Sequence, residues 1–153
     1  MTEGWIPEDE WRTIVEHAPI VSVDLLVRFN GGLIFGKREN EPAAGYWFIP
    51  GGRVQKRETR EEAVHRIAGE ELGADVRIIE SLGAYEHIYD TADVDGVGGK
   101  HYLANGFVVE AESSNLVPDD QHSDLKIFSE SPEPLHEYVR QYLQDASTLP
   151  EWP

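Results

Sequence analysis

A short apolar strand, a glycine turn and a charged helix follow one another in one stretch of the chain. The strand, Trp47-Phe48-Ile49, is expected to end at the strand-breaking run Pro50-Gly51-Gly52. A helix is predicted from Glu58 to Leu72, with Gly73 as its C-cap. By the 3.6-residue period, one face of this helix carries Val64, Ile67, Ala68 and Glu71. Because a carboxylate at the edge of a core-facing side needs a partner, we expect Glu71 to meet a cation.

Apolar runs and turn residues elsewhere predict a sheet and two further helices. The dipeptide Asn30-Gly31 tolerates the positive φ of a tight hairpin and separates two of the apolar runs. A loop rich in Gly and Asp is expected from His87 to Lys100. The predicted strands are Ile20 to Phe29, Leu33 to Gly36, Val76 to Tyr85, His101 to Glu110 and Leu125 to Phe128, and the predicted helices are Glu8 to His17 and Pro134 to Gln144. This order indicates the α/β class, with a mixed β-sheet sandwiched between helices.

No repeat or break in composition divides the chain, so we expect a single domain over residues 1–153. It would include an N-terminal helical segment at 1–18 and a C-terminal helix and tail at 130–153, whose role the sequence leaves open. The N-terminus carries acids without an apolar run, and no stretch approaches the ~20 apolar residues that cross a bilayer. We therefore expect a cytoplasmic protein with no membrane partner.

The chain is strongly acidic, with 29 Asp and Glu against 13 Lys and Arg and a net charge of −16. This charge argues against nucleic-acid or anionic-membrane binding. The charge resembles that of proteins adapted to high salt, which indicates a halophilic protein. The alternative is an ordinary acidic surface. Seven of the thirteen basic residues nevertheless lie between Lys37 and Arg66. A bound phosphate compound would need such a cationic region, together with a metal, to offset the repulsion.

The turn and helix carry a motif of fixed spacing: Gly52-Arg53-Val54-Gln55-Lys56-Arg57-Glu58, seven further residues, Arg66, and then Glu70-Glu71-Leu72-Gly73. It resembles the Nudix box, which implies the Nudix fold. In such a segment the glycines let backbone approach a metal or phosphate, and the helix presents carboxylates on successive turns. The chain has no cysteine, so ligands would be oxygen or imidazole, which suits Mg²⁺, with Mn²⁺ as an alternative. An ordinary surface helix with an Arg66–Glu70 pair would leave the spacing unexplained.

The motif departs from the Nudix pattern at Ile67, where the family has a glutamate that commonly binds metal or acts as a base. The same departure occurs in GDP-mannose mannosyl hydrolases, which the sequence resembles from about Ile14 to Phe128. The stretches that carry this resemblance include Pro19-Ile-Val-Ser-Val-Asp24, Gly45-Tyr-Trp-Phe-Ile-Pro-Gly-Gly-Arg-Val-Gln-Lys56, Glu86-His87-Ile-Tyr-Asp90, His101-Tyr102 and Pro118-Asp-Asp-Gln-His122. The resemblance implies that water attacks the anomeric carbon of a GDP-sugar, GDP-mannose or GDP-glucose, with inversion, releasing GDP and the free sugar.

The resemblance also implies which residues hold the metal and activate water. The Mg²⁺ ligands would be the backbone carbonyl of Gly51 and the side chains of Glu71 and Gln121. His122 would be the general base, because an imidazole titrates near neutral pH. The missing helix glutamate could mean a dead enzyme or chemistry relocated to other residues. Relocation agrees with cleavage at the sugar carbon, which needs a stabilised leaving group rather than a base on the helix.

The substrate contacts implied by the resemblance come from five other side chains. Arg38 and Arg53 would bind the diphosphate and stabilise the leaving group. Asp24 and Tyr102 would contact the sugar and the leaving group, and His87 the phosphate or the sugar. Each has a structural alternative, since Asp24 could be an edge-strand residue and Tyr102 could be core packing.

Two helix residues are expected to support the site, and a second subunit is expected to complete the protein. Arg66 would hold the helix carboxylates in place, and Glu70 would pair with Arg66 rather than assist Glu71. The resemblance suggests a homodimer, with the N-terminal segment and residues 90–100 near the interface.

Two other functions stay open at this point. One is a Nudix pyrophosphohydrolase that attacks phosphorus and splits a nucleotide sugar into a nucleoside monophosphate and a sugar phosphate. Ile67 and the Gln121-His122 pair argue against it. The other is a catalytically silent Nudix domain that binds a nucleotide to regulate a partner, which metal-dependent turnover would exclude.

Overall fold

The computed structural model describes residues 5–112 and 125–149 of the 153-residue chain. These residues form a sheet whose strand order is β3-β2-β1-β6-β5, with β4 paired to β1 and β7 to β2. β1 and β6 run parallel and the other pairs antiparallel, so the sheet is mixed. The elements are α1 (Glu8–His17), β1 (Ile20–Phe29), β2 (Gly32–Lys37), β3 (Trp47–Phe48), β4 (Gly51–Arg53), α2 (Arg60–Leu72), β5 (Val76–Tyr89), β6 (Lys100–Ala111), β7 (Lys126–Phe128) and α3 (Glu137–Ala146).

Both faces of the sheet are covered by helices because β1 is apolar on both sides. Val23, Leu25 and Val27 pack in one buried cluster with α2, whereas Leu26 packs in a second cluster with α3. Successive strand residues point to opposite faces, so α2 and α3 lie on opposite sides of the sheet. The predicted fold class, a mixed sheet sandwiched between helices, is confirmed.

The predicted hairpin and the predicted helix end are confirmed in their details. Asn30 and Gly31 have φ values of 49° and 78°, and the flanking pair Phe29 and Gly32 is in register. Two consecutive positive φ values are those of a type I′ turn. Gly73 ends α2 in the left-handed conformation, with a φ of 64°.

Helix α2 begins two residues later than predicted. Thr59 and Glu62 form a capping box, in which the Thr59 hydroxyl accepts from the Glu62 N–H at 3.1 Å and the Glu62 carboxylate accepts from the Thr59 N–H at 2.9 Å. This reciprocal pair satisfies donors that a helix start leaves open. Glu58 therefore lies outside the helix, where its side chain is available to the basic residues of the motif.

Three other boundaries were predicted wrongly, and two of them concern the site. Residues 51–53 form β4 instead of only a turn, because they pair antiparallel with β1. β5 continues to Tyr89, so His87 is a strand residue opposite Tyr102 and not part of a loop. α3 begins after His136, whose imidazole accepts from the Tyr138 N–H as an N-cap. In the described ranges no helix is both long and apolar enough to span a bilayer.

Candidate active site

The pairing of β1 with β4 brings Asp24 directly against the glycine turn. Asp24 is opposite Gly51 in the antiparallel ladder. A side chain at Gly51 would collide with the Asp24 carboxylate and would come within 2.6 Å of the Val23 carbonyl. Only glycine allows this close approach of the turn to β1. The glycine of the motif therefore sets the distance between the turn and Asp24.

A cleft of about 230 Å³ opens beside this contact. It is lined by all five side chains that the family resemblance predicts to contact the sugar and the diphosphate, namely Asp24, Arg38, Arg53, His87 and Tyr102. They come from β1, β4, β5, β6 and the loop after β2. The sheet thus gathers residues that are up to 78 positions apart in sequence (102 minus 24).

A second cleft adjoins the first and contains the expected metal ligands in the described chain. Glu71 and Gly51 line it together with Arg38 and Leu125. Arg38 and Gly51 line both clefts. The two clefts therefore meet at the glycine turn, so a ligand could extend from Glu71 to the Asp24 side.

Asp24 is a buried carboxyl with one strong donor. It is 8% exposed, and the Tyr142 hydroxyl donates to its Oδ2 at 2.8 Å. Burial raises the pKa of Asp24 to about 6, although the Tyr142 hydrogen bond and the charge of Arg38 act in the opposite direction. At pH 7 the carboxylate is ionised but held close to its protonation point.

His87 is the second buried titratable group in the first cleft. Its side chain is 2% exposed and stacks on the Tyr138 ring at 4.2 Å. Burial lowers its pKa to about 4, and nearby His136 acts in the same direction. His87 Nδ1 lies 3.9 Å from Asp24 Oδ2, but the imidazole is neutral at pH 7 and this contact is not an ion pair. Its Nε2 has no hydrogen-bond partner in the described chain.

Arg66 ties the helix to β4 and to the segment between them. Its Nε donates to Glu58 Oε2 at 2.7 Å, and its Nη2 donates both to Glu58 Oε1 and to the Arg53 carbonyl, at 3.0 and 2.8 Å. Its Nη1 reaches Glu70 at 3.1 Å. The hydrogen bonds from Arg66 hold the pKa of Glu58 below its usual range. The bidentate Arg66–Glu58 pair and the hydrogen bond from Arg66 to the Arg53 carbonyl together fix the backbone that carries Arg53.

Ile67 occupies the position at which the sequence departs from the Nudix pattern. It is 2% exposed and belongs to the apolar cluster between α2 and the sheet. A Cβ placed on Gly52 would lie 3.0 Å from Ile67 Cδ1, so the side chain packs directly under the glycine turn. The position therefore contributes to the core, and α2 offers no carboxylate there.

The residues expected to hold a metal fit a hard divalent cation as far as the structure describes them. Across residues 5–112 and 125–149, no three His, Asp or Glu side chains converge into a metal-binding group. The expected set would not form such a group, because it consists of a backbone carbonyl, one carboxylate and one amide. The cleft at Gly51 and Glu71 offers the oxygen donors that Mg²⁺ prefers. Gln121 and His122 lie outside the described residues.

The sequence matches the NUDIX domain over residues 18–146. The chain therefore belongs to the NUDIX family, whose hydrolases generally use divalent metals such as Mg²⁺ and act on nucleotide derivatives. It is 55% identical over 138 residues to the low-salt glycan biosynthesis protein Agl8 of Haloferax volcanii, covering 90% of this chain and 88% of that protein.

Two further comparisons concern named enzymes. An ADP-ribose pyrophosphatase of Methanocaldococcus jannaschii is 31% identical over 110 residues, covering 72% of this chain and 62% of that protein. The crystal structure of a MutT NUDIX hydrolase from Burkholderia pseudomallei superposes with a TM-score of 0.66 at 27% identity, covering 84% of this chain and 98% of that one. The fold and the motif thus define a Nudix hydrolase.

Three aromatic residues of the site were missed in the sequence. Trp11 and Tyr89 line the first cleft, and Tyr142 of α3 is bonded to Asp24. The available signal was the spacing of Tyr138 and Tyr142, one turn apart on a predicted helix, which places both rings on one face. The partner of that face could not be identified without the tertiary structure.

Proposed function

We propose that this Nudix hydrolase cleaves a GDP-sugar, GDP-mannose or GDP-glucose, at the anomeric carbon with inversion, releasing GDP and the free sugar. The proposal depends on one combination of features. The buried Ile67 occupies the helix position of the family glutamate, while the first cleft is lined by Asp24, Arg38 and Arg53. The helix lacks the carboxylate that commonly serves attack at phosphorus. The chemistry is instead concentrated on the β1 side of the glycine turn.

In the proposed mechanism the metal would be held by the Gly51 carbonyl, Glu71 and Gln121. When bound, Mg²⁺ neutralises charge on the departing diphosphate. Arg38 and Arg53 bind the same diphosphate and share this charge stabilisation. Arg66, through the Arg53 carbonyl and Glu58, keeps that part of the site in place.

The sugar end of the substrate would lie in the cleft at Asp24. His122 takes the proton of the attacking water. The ionised Asp24 accepts a hydrogen bond from a hydroxyl of the sugar and stabilises the positive charge that develops on the ring. Tyr102 contacts the sugar or the leaving oxygen. His87 is neutral at pH 7. Through Nε2, which has no partner in the described chain, it can donate a hydrogen bond to phosphate, or donate to or accept from a sugar hydroxyl.

The relatives support a sugar-related role and also favour one rival. The Haloferax volcanii protein is named for glycan biosynthesis, which fits a substrate that carries an activated sugar. The Methanocaldococcus jannaschii protein is named as a pyrophosphatase, which favours attack at phosphorus as the second candidate. The same cleft could hold a nucleotide sugar in both cases, so the position of bond cleavage decides between them.

Hydrolysis in ¹⁸O-enriched water separates these candidates. The protein is incubated with GDP-mannose and Mg²⁺, at low salt and in molar KCl, and the products are analysed by mass spectrometry. We expect the label in the free sugar and unlabelled GDP. Label in GMP or in the sugar phosphate would assign attack to phosphorus, and the absence of turnover at every salt concentration would favour a silent nucleotide-binding domain.

Salt dependence and assembly are part of the same proposal. The net charge of −16 fits a halophilic, cytoplasmic enzyme, because concentrated salt screens repulsion between carboxylates. We expect turnover in the labelling experiment to be higher in molar KCl than at low salt. The homodimer implied by the family resemblance is expected to appear as a dimeric mass in both conditions.

Replacing His122 with Gln is expected to lower kcat by ~10²-fold, because the attacking water loses its base. Mg²⁺ affinity, measured by calorimetry, should stay within about twofold of the unaltered protein, since glutamine keeps the size of the side chain and removes no proposed ligand. His101→Gln, which alters a histidine of β6 outside both clefts, is the matched control. Unchanged turnover in His122→Gln would remove this residue from the mechanism.

A further inference from the structure

Helix α3 packs on the sheet through a row of fully buried side chains. Val139, Tyr142 and Ala146 have no exposed surface, and they share an apolar cluster with Leu26 of β1 and Val108 of β6. Such a row at i, i+3 and i+7 fixes both the position and the rotation of a helix. The ring of Tyr142 is therefore held in one place at the centre of the sheet.

The Tyr142 ring reaches Asp24 only because β6, the strand next to β1, carries a glycine at the point where the ring lies. Gly106 of β6 is in parallel register with Asp24, and a Cβ on Gly106 would lie 2.6 Å from Tyr142 Cε1. No other residue would leave room for the ring. Because the ring occupies the space that Gly106 leaves, the Tyr142 hydroxyl can donate to Asp24 Oδ2 at 2.8 Å.

The two oxygens of Asp24 consequently have different surroundings. Oδ2 is bonded to Tyr142 and faces His87 Nδ1 at 3.9 Å. Oδ1 lies against the backbone of Gly51, at the turn shared by the two clefts. One oxygen is thus anchored to α3, and the other is directed towards the glycine turn.

We propose that Tyr142 is a positioning residue for the reaction, which makes the C-terminal helix part of the active site. By holding Oδ2, the hydroxyl fixes the rotation of the Asp24 carboxylate so that its other oxygen is presented to the sugar. This inference rests on the proposed function of Asp24 as a sugar contact. A misplaced contact of this kind costs rate more than binding, because it matters most where charge develops in the transition state.

The test compares Tyr142→Phe with Tyr85→Phe. Both changes keep a ring and remove one hydroxyl that binds a carboxylate, but the Tyr85 hydroxyl binds Asp145 of α3 and does not contact Asp24. With GDP-mannose we expect Tyr142→Phe to lower kcat about tenfold while KM and the affinity for GDP, measured by calorimetry, change less than about twofold. Tyr85→Phe should leave all three within about twofold. An equal loss of kcat in both variants, or no loss in Tyr142→Phe, would overturn the proposal.

Combination with Asp24 variants separates this inference from the proposed function. In an Asp24→Leu background, where the hydroxyl has no acceptor, the further loss of kcat caused by Tyr142→Phe should disappear, because the hydroxyl acts through the carboxylate. A loss of the same size in both backgrounds would contradict positioning. Wild-type turnover in Asp24→Asn alone would instead contradict the proposed role of Asp24, and no turnover of GDP-mannose by the unaltered protein would overturn both ideas.

A measurement that does not depend on turnover tests the contact itself. Introduced into the wild-type protein, Tyr142→Phe should lower the Tm. Introduced into an Asp24→Leu background, where the hydroxyl has already lost its acceptor, it should not lower the Tm. An identical decrease in Tm in both backgrounds would show that the hydroxyl stabilises the protein through something other than Asp24.

Discussion

Replacing Asp24 with Asn is expected to make the protein more stable and almost inactive. The carboxylate is buried, and burial raises its pKa from 3.8 to about 6. Keeping it ionised at pH 7 therefore costs the folded state about 2–3 kcal/mol, which an amide of the same shape does not incur. The amide oxygen can still accept from Tyr142, so the hydrogen bond is retained. Turnover of GDP-mannose should fall by ~10²–10³-fold, because a neutral amide cannot oppose positive charge on the sugar.

The stability gain should depend on pH with a definite sign. Because the folded pKa of Asp24 is above the unfolded value, this carboxyl favours folding when protonated and opposes it increasingly as the pH rises from about 4 to 6. The difference in unfolding free energy between Asp24→Asn and the unaltered protein should be full at pH 7 and vanish near pH 4. It is measured by urea unfolding in EDTA, so that no metal contributes.

A matched control measures how much the stability changes when an exposed carboxylate is removed from this acidic protein. Glu86→Gln removes an exposed carboxylate on strand β5 and should change stability by less than about 0.5 kcal/mol. If Asp24→Asn were no more stable than Glu86→Gln at pH 7, burial of Asp24 would not be costly. If it kept wild-type turnover, the sugar contact would be assigned to another residue.

Replacing Glu71 with Gln is expected to abolish most of the activity by weakening the metal site. Glu71 lines the cleft that contains the Gly51 carbonyl and is the one proposed side-chain ligand with a negative charge. Its loss should lower Mg²⁺ affinity and reduce kcat/KM by ~10³-fold at fixed Mg²⁺. Part of the activity should return as Mg²⁺ is raised, because the remaining oxygen donors still bind the ion weakly.

The adjacent carboxylate on the same helix provides the control for Glu71. Glu70 is exposed and pairs with Arg66 at 3.1 Å, so Glu70→Gln removes the same charge from α2 without removing a proposed ligand. Mg²⁺ titrations of both variants, followed by calorimetry and by activity, should show a large change for Glu71→Gln and a small one for Glu70→Gln. The opposite order would assign the metal to Glu70, and equal affinities in all three proteins would place the ligands elsewhere.

Much of the candidate site could be predicted because the sequence resembles one family over most of its length, and that resemblance assigns residues that are far apart in the chain. Asp24, Arg38, Arg53, His87 and Tyr102 were singled out together, and the structure brings them to one cleft. Their individual roles remain proposals. Gln121 and His122, which lie outside the described residues, rest on the family resemblance alone.

The predictions that failed concern contacts between distant segments. β4 exists because its backbone pairs with β1, and His87 lies on a strand because β6 supplies its neighbours. Neither pairing leaves a mark in the local sequence, where glycines indicate a turn and a run rich in Gly and Asp indicates a loop.

The periodicity of the helices, the turn at Asn30-Gly31, the helix end at Gly73 and the motif that identifies the family could be predicted from the chain, because each depends on residues a few positions apart. The hydrogen bond from Tyr142 to Asp24, 118 positions away, and the space that Gly106 leaves for the Tyr142 ring become visible only in the folded protein. Burial and the protonation state of a carboxyl depend on all the groups that pack around it. For Asp24 those neighbours come from four separate elements, β4, β5, β6 and α3, which meet only when the sheet and its covering helix assemble.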